Sequence, residues 1–173
     1  MKKSSFFSVI LAIICGGCTM NERTDQIPAV SNFELSRYLG TWYEIARYPH
    51  SFERGLKNVS ATYSYLPNGK IRVINRGINV KGKERISEGI AVPASTSGSG
   101  ELKVSFFRPF YGAYKIIYLS PGYDLAIVTS STKDYLWILS RNKEITRKEK
   151  EFCLKKITEW GFDPDDLIWV DHQ

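Results

Sequence analysis

The chain has 173 residues and a formal charge of +6. Removal of an N-terminal leader would leave about 155 residues, which is the size of one domain and excludes a catalytic domain paired with a second one. Without Lys2 and Lys3 the excess is 22 basic over 18 acidic residues, too small and too dispersed to predict a nucleic-acid partner. The ten Tyr, nine Phe and four Trp favour strands and apolar pockets.

Residues 1–17 have the pattern of a secretory leader. Lys2 and Lys3 precede an apolar run from Phe6 to Cys15, and small residues follow it. The run has only half of the roughly 20 residues that span a bilayer. We therefore predict a cleaved signal peptide rather than a permanent transmembrane helix.

The sequence Cys15-Gly16-Gly17-Cys18 resembles a bacterial lipobox, in which the last cysteine is acylated and becomes the mature N-terminus. Cys15 departs from the usual aliphatic residue at its position. The resemblance implies a lipid on Cys18 and, because Thr19 rather than Asp follows, sorting to the outer membrane, facing the periplasm. An anchor with at least two acyl chains holds stably. Residues 18–32 are then predicted to be a flexible polar tether, followed by one domain over residues 33–173.

From residue 40 onward, short runs of β-branched and aromatic residues alternate with turn signals such as Pro67-Asn68-Gly69. This pattern predicts an all-β domain, an eight-stranded antiparallel up-and-down barrel. The predicted strands are Thr41–Pro49, Asn58–Leu66, Lys70–Asn79, Glu84–Val92, Glu101–Phe107, Tyr114–Leu119, Tyr123–Ser130 and Tyr135–Ser140.

Alternation along each strand predicts which side chains face inward. Because Arg72 and Arg76 must reach solvent, Val73 and Asn75 should point into the barrel. An eight-stranded barrel can hold one small ligand, although inward side chains could equally fill the core. The same rule turns inward Ile71, Leu102, Val104, Phe106, Tyr114, Ile116 and Tyr118, and turns outward Lys103, Ser105 and Lys115.

One helix is predicted after the barrel. Thr146 and Glu149 form a capping box, and Gly161 ends the helix. Cys153 lies on its buried stripe, where a thiol is usually inert. Once the leader is removed, Cys18 and Cys153 leave no intramolecular disulfide. A final short strand is predicted over Leu167–Val170.

The segment Tyr38–Arg47 resembles the opening motif of the lipocalins, G-x-W, with Gly40 and Trp42 at the motif positions. The second lipocalin motif is represented by Tyr123 and Ala126, and the third by Arg141 after the last barrel strand. The resemblance implies a short helical turn closing one end, with Trp42 as the barrel floor. Arg141 should lie over that ring, a cation–π contact of about 1–2 kcal/mol.

Further segments are similar to one branch of that family, the bacterial outer-membrane lipoprotein lipocalins, which are apolipoprotein D-like. Those segments are Phe52–Gly55, Lys103–Phe107, Pro109–Gly112 and Tyr135–Arg141. The resemblance implies fatty acids or lysophospholipids as ligands, a role in membrane maintenance under stress, no cofactor, and possible assembly as a homodimer. The residues that it implies around the ligand are Tyr63, Asn75, Phe106, Tyr111 and Trp137.

Two alternatives to lipid binding stay open. An enzyme on the same fold would need a reactive group, and Glu44, predicted inward with a raised pKa, is the candidate acid. His50 and His172 lie near no nucleophile in sequence, and neither a Ser-His-Asp order nor metal-ligand spacing is present. We therefore predict a protein that is not an enzyme. The other alternative is a structural envelope lipoprotein whose barrel is packed solid.

Overall fold

The computed structural model describes residues 22–95 and 98–173. The predicted signal peptide and Cys18 lie outside the described residues. Within the described ranges, no helix combines the length and the apolar character that crossing a bilayer requires.

Eight antiparallel strands close into a barrel, as the sequence predicts. Consecutive strands pair in chain order from β2 to β8, and β1 pairs with both β8 and β2 to close the sheet. The sixth strand begins four residues before the predicted start, at Phe110. The strands are β1 Gly40–Arg47, β2 Lys57–Tyr65, β3 Ile71–Ile78, β4 Glu84–Pro93, β5 Glu101–Phe107, β6 Phe110–Leu119, β7 Leu125–Thr129 and β8 Leu136–Ser140.

The hairpin loops divide the barrel into two ends. Because Lys57 pairs with Ile78 and Thr129 with Leu136, the loops after β1, β3, β5 and β7 lie at one end, here called the mouth. The opposite end, here called the floor, is covered by the short helix α1, Leu35–Tyr38.

The predicted C-terminal helix packs against the outside of the barrel. This helix, α2, spans Arg147–Glu159, and Thr146 and Glu149 form the capping box at its start. Cys153 and Ile157 are buried against the outer faces of β1, β7 and β8. Burial raises the pKa of the Cys153 thiol to about 12, so the thiol is protonated and unreactive.

One predicted strand face is wrong, and one outward side chain is more buried than predicted. Tyr118 lies outside the barrel against Phe152 of α2, because a bulge between Ile116 and Tyr118 shifts the register and turns the strand over. Ser105 was expected to reach solvent, but it is only 3% exposed. It lies opposite Ile90, which is also buried, and its hydroxyl has no hydrogen-bond partner within the described ranges.

Residues 22–32, predicted as part of a flexible tether, lie along the barrel wall in the structure. The Thr24 amide donates to the Ser131 carbonyl at the mouth, and the Val30 amide donates to the Ile116 carbonyl further down. Ile27 is buried among the residues that contact α2. The chain therefore enters at the mouth and descends to the floor, because buried apolar residues and backbone hydrogen bonds attach it.

The C-terminal segment fills a seam in the barrel. β1 pairs with β2 only through Gly40–Tyr43, and nearer the mouth the short strand β9, Ile168–Trp169, pairs with β1 instead. The Asn58 amide of β2 donates to the Asp171 carbonyl at 2.8 Å. These hydrogen bonds hold the C-terminal segment, and Cys153, the one cysteine among the described residues, is free.

Candidate functional site

The floor of the barrel is closed by side chains and hydrogen bonds around Trp42. Trp42 is fully buried, and the guanidinium carbon of Arg141 lies 4.0 Å from its ring centroid. Arg141 Nη1 donates to the Thr41 carbonyl and Nη2 to the Leu39 carbonyl, each at 2.8 Å. Gly40 has φ of +95°, and a Cβ there would lie 3.3 Å from Arg141 Nη1, so a larger residue would strain this contact.

Three tyrosines lie beside Trp42 at the floor, with the Tyr38 ring centroid 4.7 Å from that of Trp42. The Tyr114 hydroxyl lies 2.7 Å from that of Tyr38 and accepts a hydrogen bond from Tyr63 at 3.0 Å. Burial raises the pKa of Tyr63 to about 12 and holds the pKa values of Tyr38 and Tyr114 well above the ordinary value. This neutral layer fills the lower part of the interior.

Asn75 and Phe106 lie inside the barrel above that layer. The register pairs Asn75 with Ala61, the residue opposite Trp42, and the Asn75 Oδ1 atom is buried without a hydrogen-bond partner. The Phe106 ring packs against Gly89, where a Cβ would lie only 2.8 Å from the ring carbon Cδ1. The middle of the interior therefore combines an apolar ring with an unused acceptor.

Nearer the mouth, Glu44 and Arg47 form a buried ion pair. They are 4% and 2% exposed, and Arg47 Nη1 lies 2.5 Å from Glu44 Oε1. Arg47 Nη2 donates to the Glu53 carbonyl at 2.8 Å, whereas Nε is buried and has no hydrogen-bond partner among the described residues. Burial raises the pKa of Glu44 well above its ordinary value, and the charge of Glu53 adds to this, although Arg47 opposes it.

A second buried carboxylate, Glu53, is held by the loop after β1. Its Oε2 lies 2.9 Å from His50 Nε2 and accepts a hydrogen bond from Trp137 Nε1 at 3.3 Å. Burial alone would raise the pKa of Glu53, but hydrogen bonding and charge from His50, with smaller contributions from Trp137 and Arg47, hold it below the ordinary value.

A cavity of about 430 Å³ lies next to Arg47 and His50 near the mouth, at the seam between β2 and β9, and Glu44 and Glu53 do not line it. Arg47, His50, Arg54 and Lys57 line it, and Asp171 also lines it, with Oδ2 2.5 Å from Lys57 Nζ. Its apolar walls include Leu56, Val80, Ile168 and Trp169. Its volume falls within the ~300–1,000 Å³ typical of small-molecule sites. Positive groups beside apolar walls suit an amphiphile with a negative head.

The structure brings four of the five predicted lining residues to the interior. Tyr63 lies in the tyrosine layer, Asn75 and Phe106 lie above it, and Trp137 lies beside Glu53 near the mouth. Tyr111 is not brought to this set. It is 43% exposed, and alternation along β6 places it on the outer face, out of phase with Tyr114.

Sequence reasoning missed Arg47 and Glu53. In a regular strand Glu44 and Arg47 would face opposite sides, but a bulge between Glu44 and Ala46 brings both inward. The available signal was the presence of Glu44 and Arg47 in one short motif. Regular alternation, however, predicts that the two side chains lie on opposite faces of the strand. Nor does any group of three or more His, Cys, Asp and Glu side chains in the described ranges have the arrangement to hold a metal ion.

Comparisons with known proteins agree with this architecture. Residues 33–172 match the family described as "Lipocalin-like domain". The chain is 45% identical to outer membrane lipoprotein Blc of Escherichia coli K12 over 160 residues, covering 92% of this chain and 90% of that protein. It is 40% identical to the Vibrio cholerae protein of the same name over 171 residues, with 98% and 99% coverage.

More distant relatives extend the comparison. Apolipoprotein D of Macaca fascicularis is 30% identical over 157 residues, covering 84% of this chain and 80% of that protein. Among solved structures, insecticyanin of the tobacco hornworm Manduca sexta has a TM-score of 0.71 at 23% identity, with 85% of each chain covered, and it supports the fold alone. These relatives have the names of lipocalins and lipoproteins rather than of enzymes. The chain therefore belongs to the lipocalin family and is a lipoprotein of the outer membrane.

Proposed function

We propose that this protein binds single-chain lipids, such as fatty acids and lysophospholipids, and stores or transports them during membrane maintenance under stress. The observation that carries the proposal is the mouth cavity, which is lined by the buried cation Arg47 with its unpartnered Nε atom. A buried polar atom without a partner is rare in folded proteins, and a ligand group is one explanation for it.

The interior supplies both parts of an amphiphile site. Phe106 and Trp137 offer apolar surface for an acyl chain, and Asn75 Oδ1 and Arg47 Nε offer an acceptor and a donor for its polar end. The tyrosine layer would limit how deeply the chain reaches.

The test compares palmitic acid, 1-palmitoyl lysophosphatidylcholine and hexadecanol as probes. Purified protein is titrated with each probe while tryptophan emission is followed, and native mass spectrometry counts the bound molecules. Palmitic acid should bind more tightly than hexadecanol, because only the acid offers a negative head to Arg47.

Asn75→Leu tests the interior position directly. It should weaken lysophosphatidylcholine binding about 5–10-fold, which corresponds to one lost hydrogen bond of about 1–1.5 kcal/mol. Asn142→Leu, which changes an exposed asparagine beyond β8, is the matched control and should leave affinity unchanged. Absence of binding for every probe would contradict the proposal and favour a structural envelope protein.

The anchor and the assembly are separate parts of the proposal. We propose Cys18 as the acylated residue, and mass spectrometry of the N-terminal peptide would show two or three acyl chains on it. The homodimer implied by family resemblance is tested by sedimentation of the purified protein over a range of concentrations.

A further inference from the structure

The mouth has a rim of exposed apolar side chains. Phe52, Val80, Phe107 and Phe110, here called the rim residues, are between 61% and 86% exposed. They come from three different loops that the barrel topology brings to the same end. Exposed apolar groups gathered at one end of a molecule mark an interaction surface.

The loops of the same end have an excess of basic residues, although Lys57 and Lys133 are paired with Asp171 and Glu22. The mouth segments 48–57, 78–85, 107–111 and 130–135 together contain seven Lys and Arg residues but only three Asp and Glu residues. One of those carboxylates, Glu53, is buried inside the barrel. Apolar rings among cations are typical of surfaces that lie in the interface of an anionic bilayer.

The N-terminus of the described chain reaches the mouth. The Lys133 amide donates to the Glu22 carbonyl at 2.7 Å, and Arg23 pairs with Thr132, both in the loop after β7. Cys18 is four residues before Glu22, and four residues span at most about 14 Å. An acyl chain on Cys18 would therefore hold the mouth, and not the floor, next to the membrane.

We infer that the mouth docks on the outer membrane, with the rim residues inserted at the level of the lipid headgroups and the surrounding cations against anionic headgroups. In this orientation the 430 Å³ cavity, which Val80 of the rim lines, lies next to the bilayer, so a lipid could pass between membrane and protein with little exposure to water. Interfacial side chains of this kind reach about 5–10 Å into the boundary between headgroups and acyl chains. The inference rests on acylation of Cys18.

The experiment places a fluorescent reporter at each end of the lipidated full chain. Phe110→Trp marks the mouth, and Tyr65→Trp, at an exposed aromatic residue of the floor, is the matched control. Each variant is reconstituted in vesicles of phosphatidylcholine and phosphatidylglycerol, with or without dibrominated phosphatidylcholine, whose bromine atoms quench tryptophan. The emission of the unsubstituted protein is subtracted.

The added emission of Phe110→Trp should be quenched by brominated lipid, whereas that of Tyr65→Trp should be unaffected. Substituting Lys81 and Lys83 with Gln should weaken the quenching at position 110, since each cation near an anionic surface contributes about fivefold to partitioning. Lys143→Gln, at the floor, should leave it unchanged.

Equal quenching at both positions, or none at position 110, would overturn the inference. If a second copy of the chain covered the rim, position 110 would show no quenching. The protein would then form a concentration-dependent dimer that Phe110→Asp disrupts. This readout does not depend on a filled barrel: a protein that takes up no palmitic acid could still dock, and one that binds it could fail to dock.

Discussion

The floor and the mouth of this barrel are built from the same eight strands but differ in nearly every physical property. At the floor, Arg141 donates hydrogen bonds to five backbone carbonyls, and its guanidinium covers Trp42. At the mouth, Arg47 is buried with an unpartnered Nε atom. The guanidinium of Arg141 is therefore fully engaged with backbone carbonyls, whereas that of Arg47 keeps one N–H group available for a hydrogen bond.

The surfaces of the two ends also differ in charge and in exposed hydrophobic residues. The floor segments 33–39, 65–71, 93–101, 119–125 and 141–146 contain four cations and four carboxylates. Within the described ranges, Tyr65 is their one large and clearly exposed hydrophobic residue. At the floor the polar groups are hydrogen-bonded and the charges balance, so this end stabilises the fold. At the mouth some buried polar atoms lack partners and aromatic rings are exposed, so this end is suited to bind other molecules.

The largest expected difference comes from truncating one aromatic residue at each end. Trp42→Ala should lower the free energy of unfolding by about 3–5 kcal/mol, because it opens a cavity in a closed layer. Phe110→Ala, at the exposed rim, should change it by less than about 0.5 kcal/mol. Urea denaturation followed by circular dichroism measures both, and similar losses would refute the division of roles.

The second-largest loss of stability is expected from substitution of Arg141 at the floor. Arg141→Met should cost about 2 kcal/mol, since it removes the cation over Trp42 and the donors to the backbone carbonyls of α1 and β1. Palmitic acid binding by the folded protein should persist, because the site lies toward the mouth. Lys148→Met, at an exposed position of α2, serves as the control. Loss of binding without loss of stability would mean that the floor takes part in the site.

The last comparison concerns a pH dependence that belongs to the mouth. The pKa of Glu44 is higher in the folded protein than in the unfolded chain, so its stabilising contribution is complete below the unfolded value and is lost as the pH rises through the folded value. Glu44→Gln should remove this loss, which cannot exceed about 1.4 kcal/mol for each pH unit. Denaturation at pH 5 and pH 8 compares it with the unsubstituted protein.

Glu53 contributes with the opposite sign, because its pKa is lowered in the folded state and its contribution is lost as the pH falls through that value. Because the two carboxylates interact, the difference between Glu44→Gln and the unsubstituted protein reports the titration of Glu44 together with any change that it causes in Glu53. Glu144→Gln, beyond β8, should leave the pH dependence unchanged. A steeper loss in Glu44→Gln would contradict the raised pKa.

Much of the fold could be predicted because its signals are local. Alternating strands and the capping box of Thr146 and Glu149 lie within short stretches of chain. Gly40 and Trp42 are also neighbours in sequence, whereas the distant Arg141 is identified by its resemblance to a lipocalin motif. The sixth strand was predicted too short because Phe110–Gly112 was interpreted as part of a motif rather than as the start of the strand.

The candidate site was predictable only in part, because bulges change the side to which a residue points. Asn75 lies on β3, which pairs regularly with β4, and alternation placed it inside. Tyr118 and Arg47 follow bulges in β6 and β1, where one extra residue reverses the alternation.

The sequence by itself determined the strands and the helix, since each depends on side-chain periodicity or on residues close together in the chain, and family resemblance identified Gly40, Trp42 and Arg141 of the floor. Only the tertiary structure decided the mouth. The Glu44–Arg47 pair, the seam filled by β9 and the path of residues 22–32 all depend on register between strands distant in sequence. Register is set by the closing of the whole barrel, and no short segment encodes it.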